Sequence, residues 1–445
     1  MLTELNAGDL QALKEWLKSR TQTIGADIYG AAAGIIDQVR AQGDQALKDL
    51  TKQFDKVDID TLRLTEAQID ELAAQADPAF VKALKGARDN ILEFHEAQKQ
   101  NSFLLNRPNG VYLGQRVIPL DAVGIYVPGG RAQYPSSVLM NAIPAKVAGV
   151  KRIVMMTPPA ANGLAEPNIA CAARLAGITE LYVTGGAQAI AAMAYGTESI
   201  APVDKIVGPG NAFVAAAKKL VYGTVDIDMI AGPSEILVIA DSGADPAFVA
   251  ADLLSQAEHD PLASAMFVTT DAGLIRKVKE ELQKQSAFLP KKDIVEASLA
   301  NYGRSILCES MEQCLEIANQ IAPEHLELMV ENPMNWLGQV RHAGSVFLGY
   351  YTCESIGDYY GGTNHVLPTS GTAKFSSALG VDAFVKRSSF LHYTKEQLEQ
   401  DSAAIQTLAT AEHLQAHATA AAIRTPSITA DDQKARAAAD AKEPQ

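Results

Sequence analysis

The feature that most constrains the fold is an alternation, from about residue 120 onward, between short apolar runs and helix-length segments. Ala-rich stretches, such as residues 212–222 and 246–258, separate the runs. This order of strand, helix and strand predicts an α/β fold, because parallel strands need a crossover connection that is usually a helix. The predicted strands are residues 123–127, 153–156, 181–184, 205–207, 236–240, 266–269, 305–307 and 346–348.

At 445 residues the chain is too long for a single core, and we expect more than one domain. Before residue 120 the pattern is mostly helical, with amphipathic helices predicted over residues 1–20 and 80–100. Residues 394–419 predict a helix whose apolar face is weak, and such a helix usually packs on another domain or subunit. The tail from Thr425 to Gln445 has almost no large apolar residue and is expected to be disordered.

The composition argues against several classes of function. The formal net charge is −14, and an acidic surface repels phosphate backbones, so we expect no nucleic-acid partner. No apolar run approaches the ~18 residues of a membrane-spanning helix, and no early stretch has the pattern of a signal peptide. The four cysteines (Cys171, Cys308, Cys314 and Cys353) have no CxxC spacing and are too sparse for a disulfide framework. A reducing cytoplasm is the predicted location.

Glycine clusters follow several predicted strands, at residues 128–130, 185–186, 208–211 and 231–234. None completes the dinucleotide fingerprint GxGxxG, and no phosphate-binding GxxxxGK[ST] motif is present. Tight turns in any α/β protein need glycine, and each cluster taken alone has that simple explanation. Their number favours a ligand site, because ligands of α/β proteins bind at the carboxyl ends of strands.

Seven of the eight histidines lie beyond residue 258, among carboxylates and amides. Gln256 and His259 are three residues apart on a predicted helix, and His413 and His417 are four apart on another, so each pair shares a helical face. Asp358 and His365 bracket a glycine-containing loop with a mobile character. Oxygen and imidazole donors without thiolate suit an open, catalytic Zn²⁺ site, although surface or core histidines remain the alternative.

Glu324 and His325 follow Pro323 and form a second candidate site. An adjacent carboxyl group and imidazole of different pKa can handle two protons in one cleft. The alternative, which spacing alone favours, is a helix N-terminus with proline in the first turn and an acidic residue stabilised by the helix dipole.

Several motifs together resemble the histidinol dehydrogenase family, from about residue 5 to Arg424. In chain order they are GIYVPGG (124–130), GPGN (208–211), AGPSE (231–235), SQAEH (255–259), PEH (323–325), AGSVFLG (343–349), GDY (357–359) and TNHVLP (363–368). The resemblance implies oxidation of L-histidinol, through bound L-histidinaldehyde, to L-histidine, the last steps of histidine biosynthesis, with two NAD⁺ and one water consumed.

The resemblance also assigns roles to residues of this sequence. It implies one Zn²⁺ per subunit held by Gln256, His259, Asp358 and His417, and an acid/base pair formed by Glu324 and His325. Substrate contacts are implied for Ser234, His365 and Glu412, together with His325 and the four zinc ligands. NAD⁺ contacts are implied for Tyr126, Gln188 and Asn211. The family match therefore selects Glu412, and not His413, beside His417.

The architecture implied by the resemblance consists of two incomplete Rossmann-like parallel-sheet domains with small terminal segments. Residues 1–19 would be a helical N-terminal segment, 20–125 with 234–379 a discontinuous first domain, and 126–233 the second. Residues 380–424 would form a dimerisation arm that is exchanged in a homodimer and completes the partner's site, and 425–445 a disordered tail. A weakly apolar C-terminal helix is consistent with such an arm.

In the implied mechanism, His325 takes the hydroxyl proton, Glu324 activates water on the aldehyde, and His325 acts again in the second oxidation. Asp260, after His259, stands where members of the family often have glycine. Three alternatives remain open: a paralogue that oxidises another small alcohol such as dihydroxypropanesulfonate, a zinc hydrolase, and an NAD-binding module without catalysis.

Overall fold

The computed structural model describes residues 2–19, 25–129 and 133–425 of the chain. In chain order the strands of this part are β1 (Thr3–Asn6), β2 (Arg63–Leu64), β3 (Phe103–Asn106), β4 (Tyr112–Pro119), β5 (Ala122–Tyr126), β6 (Arg152–Thr157), β7 (Glu180–Val183), β8 (Lys205–Val207), β9 (Asp226–Ile227), β10 (Glu235–Ala240), β11 (Ser264–Thr269), β12 (Arg304–Leu307), β13 (His325–Met329), β14 (Ser345–Leu348) and β15 (Val385–His392).

The α-helices of the same part are α1 (Leu10–Ser19), α2 (Ala26–Phe54), α3 (Glu66–Ala73), α4 (Pro78–Glu96), α5 (Pro135–Ala148), α6 (Pro167–Ala176), α7 (Gly186–Tyr195), α8 (Ala212–Val221), α9 (Pro246–Ala257), α10 (Ala272–Ser286), α11 (Lys292–Asn301), α12 (Met311–Ile321), α13 (Met334–Leu337), α14 (Glu354–Tyr359), α15 (Lys395–Ala411) and α16 (Gln415–Ala422). Short 3₁₀ turns occur at Pro108–Gly110, Thr372–Lys374 and Val381–Phe384.

Two six-stranded sheets and one three-stranded sheet organise these elements. The first sheet has the order β1-β12-β11-β10-β13-β14, and all its strand pairs are parallel. The second has the order β2-β7-β6-β5-β8-β9 and is parallel except for its edge pair β2 and β7. The predicted α/β fold with two parallel-sheet domains is therefore confirmed.

The first sheet is buried on both faces, which explains why its central strands are almost continuously apolar. Side chains of β10 alternate between two cores: Ile236, Val238 and Ala240 pack into one, and Leu237 and Ile239 into the other. This is the two-residue period of a strand covered by helices on both sides.

The N-terminal segment differs from the predicted helix over residues 1–20. Residues Thr3–Asn6 form β1, which pairs in parallel with β12 at the edge of the first sheet, and α1 begins only at Leu10. The backbone hydrogen bonds with a strand some 300 residues away outweigh the weak local preference for helix. Met1 lies outside the described residues.

The strand pairing places part of residues 20–125 with the second sheet, whereas the predicted domain bounds placed this segment with the first. β2 and β5 belong to the second sheet, although residues 20–125 were expected to join residues 234–379. The apolar face of α2 supplies the reason, because Ile36, Val39 and Leu47 pack in one core with residues of α7 and α8, which cover the same sheet. Residues 20–24 lie outside the described part.

The described chain forms two compact units. The first contains the described residues up to Lys99 and those of Pro119–Val385, and the second contains Gln100–Ile118 and the described residues from Lys386 to Thr425. In the second unit, β3 and β4 pair antiparallel, and β15 lies beside β4. The sequence did not predict this three-stranded sheet.

The helix predicted over residues 394–419 is two helices, α15 and α16, separated at residues 412–414. His413 has a φ of 60°, a left-handed conformation that cannot continue a helix, so His413 and His417 do not share one helical face. The apolar face of α15 is as weak as predicted, with only Ser402 and Ala409 buried among its described residues. Residues 426–445 of the predicted tail lie outside the described part.

Two expectations from composition agree with the structure. All four cysteines are free thiols. Among the described residues, no helix has the length and apolar character needed to cross a membrane.

Candidate active site

A cleft of about 420 Å³ opens in the first unit, lined by loops of both six-stranded sheets. Loops that follow β5 and β8 reach it from the second sheet, at the carboxyl ends of those strands. Residues that precede or begin β10 and β13 reach it from the first sheet, at its amino edge. Eight of the predicted site residues line this cleft: Asn211, Ser234, Gln256, His259, Glu324, His325, Asp358 and His365.

Glu324 and His325 stand at the start of a strand, so the helix N-terminus that spacing favoured is wrong. Helix α12 ends at Ile321, and His325 is the first residue of β13. β13 lies between β10 and β14, where Leu326 and Leu328 are fully buried. The burial of these leucines in a parallel sheet explains why PEHLELM forms a strand and not a helix.

Hydrogen bonds to Glu235 fix both side chains. The Glu235 backbone N–H donates to Glu324 Oε2 at 2.8 Å, and His325 Nδ1 lies 2.9 Å from the Glu235 carbonyl oxygen. Because a carbonyl only accepts, Nδ1 carries a proton, and Nε2 is the nitrogen that accepts or releases the second proton of the ring. His325 Nε2 has no hydrogen-bond partner among the described residues, and it lies 3.6 Å from Asp358 Oδ1.

Burial and charge shift the proton affinities of this pair. Burial raises the pKa of Glu324 to about 8, with the adjacent imidazolium acting in the opposite direction. Burial lowers the pKa of His325, but the carboxyl groups of Glu324 and Asp358 outweigh it and raise the pKa to about 10. Both groups are thus stronger bases than their free counterparts.

A cluster of metal-binding donors lies next to His325. The ligand atoms of His259, Glu354 and Asp358 all lie within 4.8 Å of one another. Burial opposes ionisation of Asp358, yet the close approach of His325 and the positive charge of the nearby histidines lower the pKa of its carboxyl to about 2. Desolvation lowers the pKa of His259, which favours the neutral imidazole that binds metals.

Gln256 adds an unsatisfied oxygen to the same cleft. Its side chain is only 1% exposed, and Oε1 has no hydrogen-bond partner among the described residues. Such a buried orphan acceptor fits a cation. Gln256 lies in the last turn of α9, whereas His259 lies beyond the end of the helix, in a turn where its N–H donates to the Gln256 carbonyl. The oxygen and imidazole donors present here fit Zn²⁺.

Sequence reasoning missed Glu354, which is buried and belongs to the donor cluster. Its spacing was the available signal, since Glu354 and Asp358 are four residues apart and share one face of α14. Asp260, which follows His259, closes a turn: its Oδ1 accepts the Leu262 N–H at 2.9 Å.

The loop before His365, which its glycines suggested to be mobile, is fixed by hydrogen bonds of Asn364. Asn364 is buried and donates to the Met140 carbonyl at 2.7 Å, and its own Oδ1 accepts the Val366 N–H. His365 Nδ1 lies 3.0 Å from the Asp358 carbonyl, and its Nε2 lies 3.2 Å from Ser137 Oγ. His365 thus stands between the donor cluster and α5.

The glycine loop at residues 208–211 is clamped by a buried ion pair. Lys218 and Asp228 form the pair, with side chains 3% and 1% exposed. Lys218 Nζ donates to the Gly208 carbonyl at 3.0 Å, and Asp228 Oδ2 accepts the Gly208 N–H at 2.8 Å. Glycine is required here, because φ is +114° and a Cβ would lie 2.1 Å from the Tyr126 carbonyl oxygen. Asn211 caps α8, accepting two backbone N–H groups.

Four predicted contact residues do not line the cleft. Tyr126 and Gln188 are 3% and 1% exposed. The Gly186 N–H, at the start of α7, donates to the Tyr126 hydroxyl oxygen at 3.1 Å, and Gln188 lies two residues further along the helix. Glu412 and His417 belong to the second unit and are exposed there. Gly130, in one of the glycine clusters, lies outside the described residues.

The buried ion pair yields a stability prediction. Lys218→Met leaves the Asp228 carboxylate buried without its counter-charge, which typically costs about 3–5 kcal/mol. Lys219→Met is the matched control, because Lys219 is the next residue of α8 and is exposed. Chemical denaturation should show a large loss for Lys218→Met and less than about 1 kcal/mol for the control. Equal losses of unfolding free energy in the two variants would contradict a stabilising role for the Lys218–Asp228 ion pair.

Comparison with known proteins agrees with this geometry. The histidinol dehydrogenase family matches residues 18–425. A histidinol dehydrogenase of Listeria monocytogenes is 53% identical over 94% of this chain and 98% of its own length, and one of Clostridium acetobutylicum is 52% identical over 92% and 95%. The crystal structure of a histidinol dehydrogenase from Elizabethkingia anophelis superposes with a TM-score of 0.91 at 40% identity, covering 95% of this chain and 98% of that one. The chain belongs to the histidinol dehydrogenase family.

Proposed function

We propose that this protein oxidises L-histidinol, through L-histidinaldehyde, to L-histidine, with one Zn²⁺ per subunit and two NAD⁺ per turnover. The reaction would complete histidine biosynthesis in the cytoplasm, where the free thiols of all four cysteines are stable. One observation carries the proposal: a buried imidazole with its Nε2 unpartnered lies between a carboxyl group of raised pKa and a set of zinc-type donors.

The donors available for Zn²⁺ are Gln256 Oε1, the His259 imidazole and the Asp358 carboxylate, with His417 as the fourth proposed ligand. Zinc bound there would supply a fixed point of attachment for the amino alcohol, and NAD⁺ would accept the hydride. For the cofactor we propose Tyr126, Gln188 and Asn211. Of these three, only Asn211 lines the cleft; Tyr126 accepts a hydrogen bond from the Gly186 N–H at the start of α7, and Gln188 is buried in that helix.

His325 and Glu324 divide the proton transfers between them. His325 Nε2 takes the hydroxyl proton in the first oxidation, since Nδ1 is committed to the Glu235 carbonyl. Glu324 takes a proton from the water that hydrates the aldehyde, and its raised pKa makes it a stronger base for that task. His325 then accepts the proton of the hydrate in the second oxidation.

Substrate recognition falls to Ser234, His365 and Glu412, together with His325 and the zinc ligands. Ser234 and His365 both line the cleft. In the sequence, Ser234 precedes the Glu324–His325 pair and His365 follows it. Burial lowers the pKa of His365. Both of its ring nitrogens have partners, so a hydrogen bond to the substrate would replace the one between Nε2 and Ser137 Oγ.

The proposed reaction is tested by NADH formation at 340 nm. L-Histidinol should give two NADH per molecule, and a sulfonated diol should give none. Chelation should abolish the activity and Zn²⁺ should restore it. A preference for the diol would make the protein a paralogue with another substrate, and substrate hydrolysis without NADH would make it a zinc hydrolase. Full activity without any divalent metal would contradict the proposed zinc site.

The roles of the acid/base pair can be separated by supplying histidinol and histidinaldehyde separately. Glu324→Gln should slow oxidation of the aldehyde by ~10²–10⁴ and the alcohol step far less, because only the former needs activated water. His325→Asn should slow both steps. Glu331→Gln, at an exposed glutamate, is the control. In the native enzyme, aldehyde oxidation should rise with pH as Glu324 loses its proton. If Glu324→Gln oxidises the aldehyde at the native rate, Glu324 is not the water-activating base.

We further propose a homodimer in which residues 380–424 of one subunit bring Glu412 and His417 to the site of the other. Support comes from the weakly apolar, exposed character of α15 and α16 in the second unit. Mixing His417→Ala chains with Glu324→Gln chains under dissociating and then reassociating conditions should restore activity, because some hybrid sites regain every native group. Hybrid dimers that form without recovering activity would show that each chain builds its own site.

A further inference from the structure

Three buried carboxyl groups adjoin the proposed metal site, and one of them, Glu354, reaches its donor cluster. Asp252, Glu327 and Glu354 are 8%, 1% and 2% exposed, and we call them the carboxyl triad. Each belongs to a different element: Asp252 to α9, Glu327 to β13 and Glu354 to α14. Burying a carboxyl group is costly unless hydrogen bonds compensate it, so three together call for a specific role.

The triad is in register with the site above it. Asp252 lies one helical turn before Gln256 on α9, and Glu354 lies one turn before Asp358 on α14. Glu327 follows His325 by two residues and therefore points to the same face of β13. Each element that carries part of the site thus carries one member of the triad.

Hydrogen bonds join the triad into one network. The Glu354 N–H, in the first turn of α14, donates to Glu327 Oε1 at 2.8 Å. The Ser255 hydroxyl donates to Glu354 Oε2 at 2.7 Å and lies 2.8 Å from the Asp252 carbonyl. Glu354 Oε1 is thereby directed toward His325 Nε2, 3.9 Å away.

Burial raises the pKa of Asp252 to about 6, and burial together with the nearby Asp252 carboxylate raises the pKa of Glu327 well above its usual value. Glu327 Oε2 is buried and meets no N–H or O–H donor in the described part of the chain. Two carboxyl groups can form a hydrogen bond only if one keeps its proton, which then serves as the donor. An amide at position 327 offers the same acceptor and donor pattern without that proton.

We propose that the carboxyl triad is a positioning network that holds α9, β13 and α14 in register, so that Gln256, His259 and Asp358 converge on one metal beside His325. The inference rests on the proposed zinc site and adds Asp252, Glu327 and Glu354 to it as positioning residues. A purely structural role would change the stability of the unit without changing metal affinity.

The test is zinc affinity, measured by competition with a chelator on the full-length protein, beside the melting temperature of the metal-free form. Glu327→Leu removes the acceptor for the Glu354 N–H and should weaken zinc binding by about 10–100-fold. Glu327→Gln should keep the affinity within about threefold of native, because the amide oxygen can still accept the Glu354 N–H and the amide N–H can donate to the Asp252 carboxylate. The Co²⁺-substituted protein should show an altered ligand-field spectrum for the leucine variant only.

A second disruptive variant and a control variant separate an effect on zinc binding from an effect on folding. Ser255→Ala removes only the hydroxyl that fixes Glu354 and should weaken zinc binding about tenfold, even if Glu327→Leu fails to fold. Asn319→Ala is the matched control: Asn319 is buried in the same unit and binds the backbone of Arg341 and His342, so its loss should lower stability and leave zinc affinity unchanged.

Native zinc affinity in both Glu327→Leu and Ser255→Ala would overturn the positioning role while leaving the proposed zinc site intact. An equal loss in Glu327→Gln and Glu327→Leu would overturn it as well, because the hydrogen-bond pattern would then not be what matters. A native protein that binds no zinc would instead overturn the proposed function, and the positioning role with it.

Discussion

The hydrogen bond between His325 Nδ1 and the Glu235 carbonyl is the contact on which the proposed chemistry depends. It joins β13 to β10 at the amino edge of the first sheet and leaves Nε2 as the only proton acceptor of the ring. Glu235 also holds Glu324 through its N–H, so one residue aligns both members of the acid/base pair. Because parallel pairing fixes the register of the two strands, the fold itself sets this geometry.

The two six-stranded sheets line the cleft with opposite ends of their strands. The second sheet presents carboxyl ends of strands, with a glycine loop clamped by Lys218 and Asp228 and open to close approach. The first sheet presents its amino edge, where buried carboxyl and imidazole groups concentrate. The second sheet therefore lines the cleft with glycine-rich backbone, and the first sheet lines it with carboxyl and imidazole side chains.

The local sequence pattern predicted the strands that are continuous apolar runs. Strands that depend on pairing with distant parts of the chain were not predicted. Strands such as β10 and β11 are continuous apolar runs, and the sequence located them. β13 escaped notice because His325 and Glu327 interrupt its apolar pattern, and only the structure reveals that both are buried. β1 is a strand only because β12 accepts it at the sheet edge. In the candidate site, motif resemblance singled out Gln256, His259 and Asp358, which line one cleft. Glu327 is recognised only as a spatial neighbour, whereas Glu354 had the weak signal of its spacing from Asp358.

In the proposed enzyme, α9, β13 and α14 together hold one zinc ion beside the His325 imidazole. A crystal structure of the zinc-loaded protein with L-histidinol, recorded at the zinc absorption edge, would test this arrangement. We expect one anomalous peak per subunit, at about 2.0–2.2 Å from Gln256 Oε1, an imidazole nitrogen of His259 and an Asp358 oxygen. His325 Nε2 should lie within hydrogen-bonding distance of the substrate hydroxyl, at about 2.6–3.2 Å. A peak held elsewhere, or a substrate hydroxyl out of reach of His325, would contradict it.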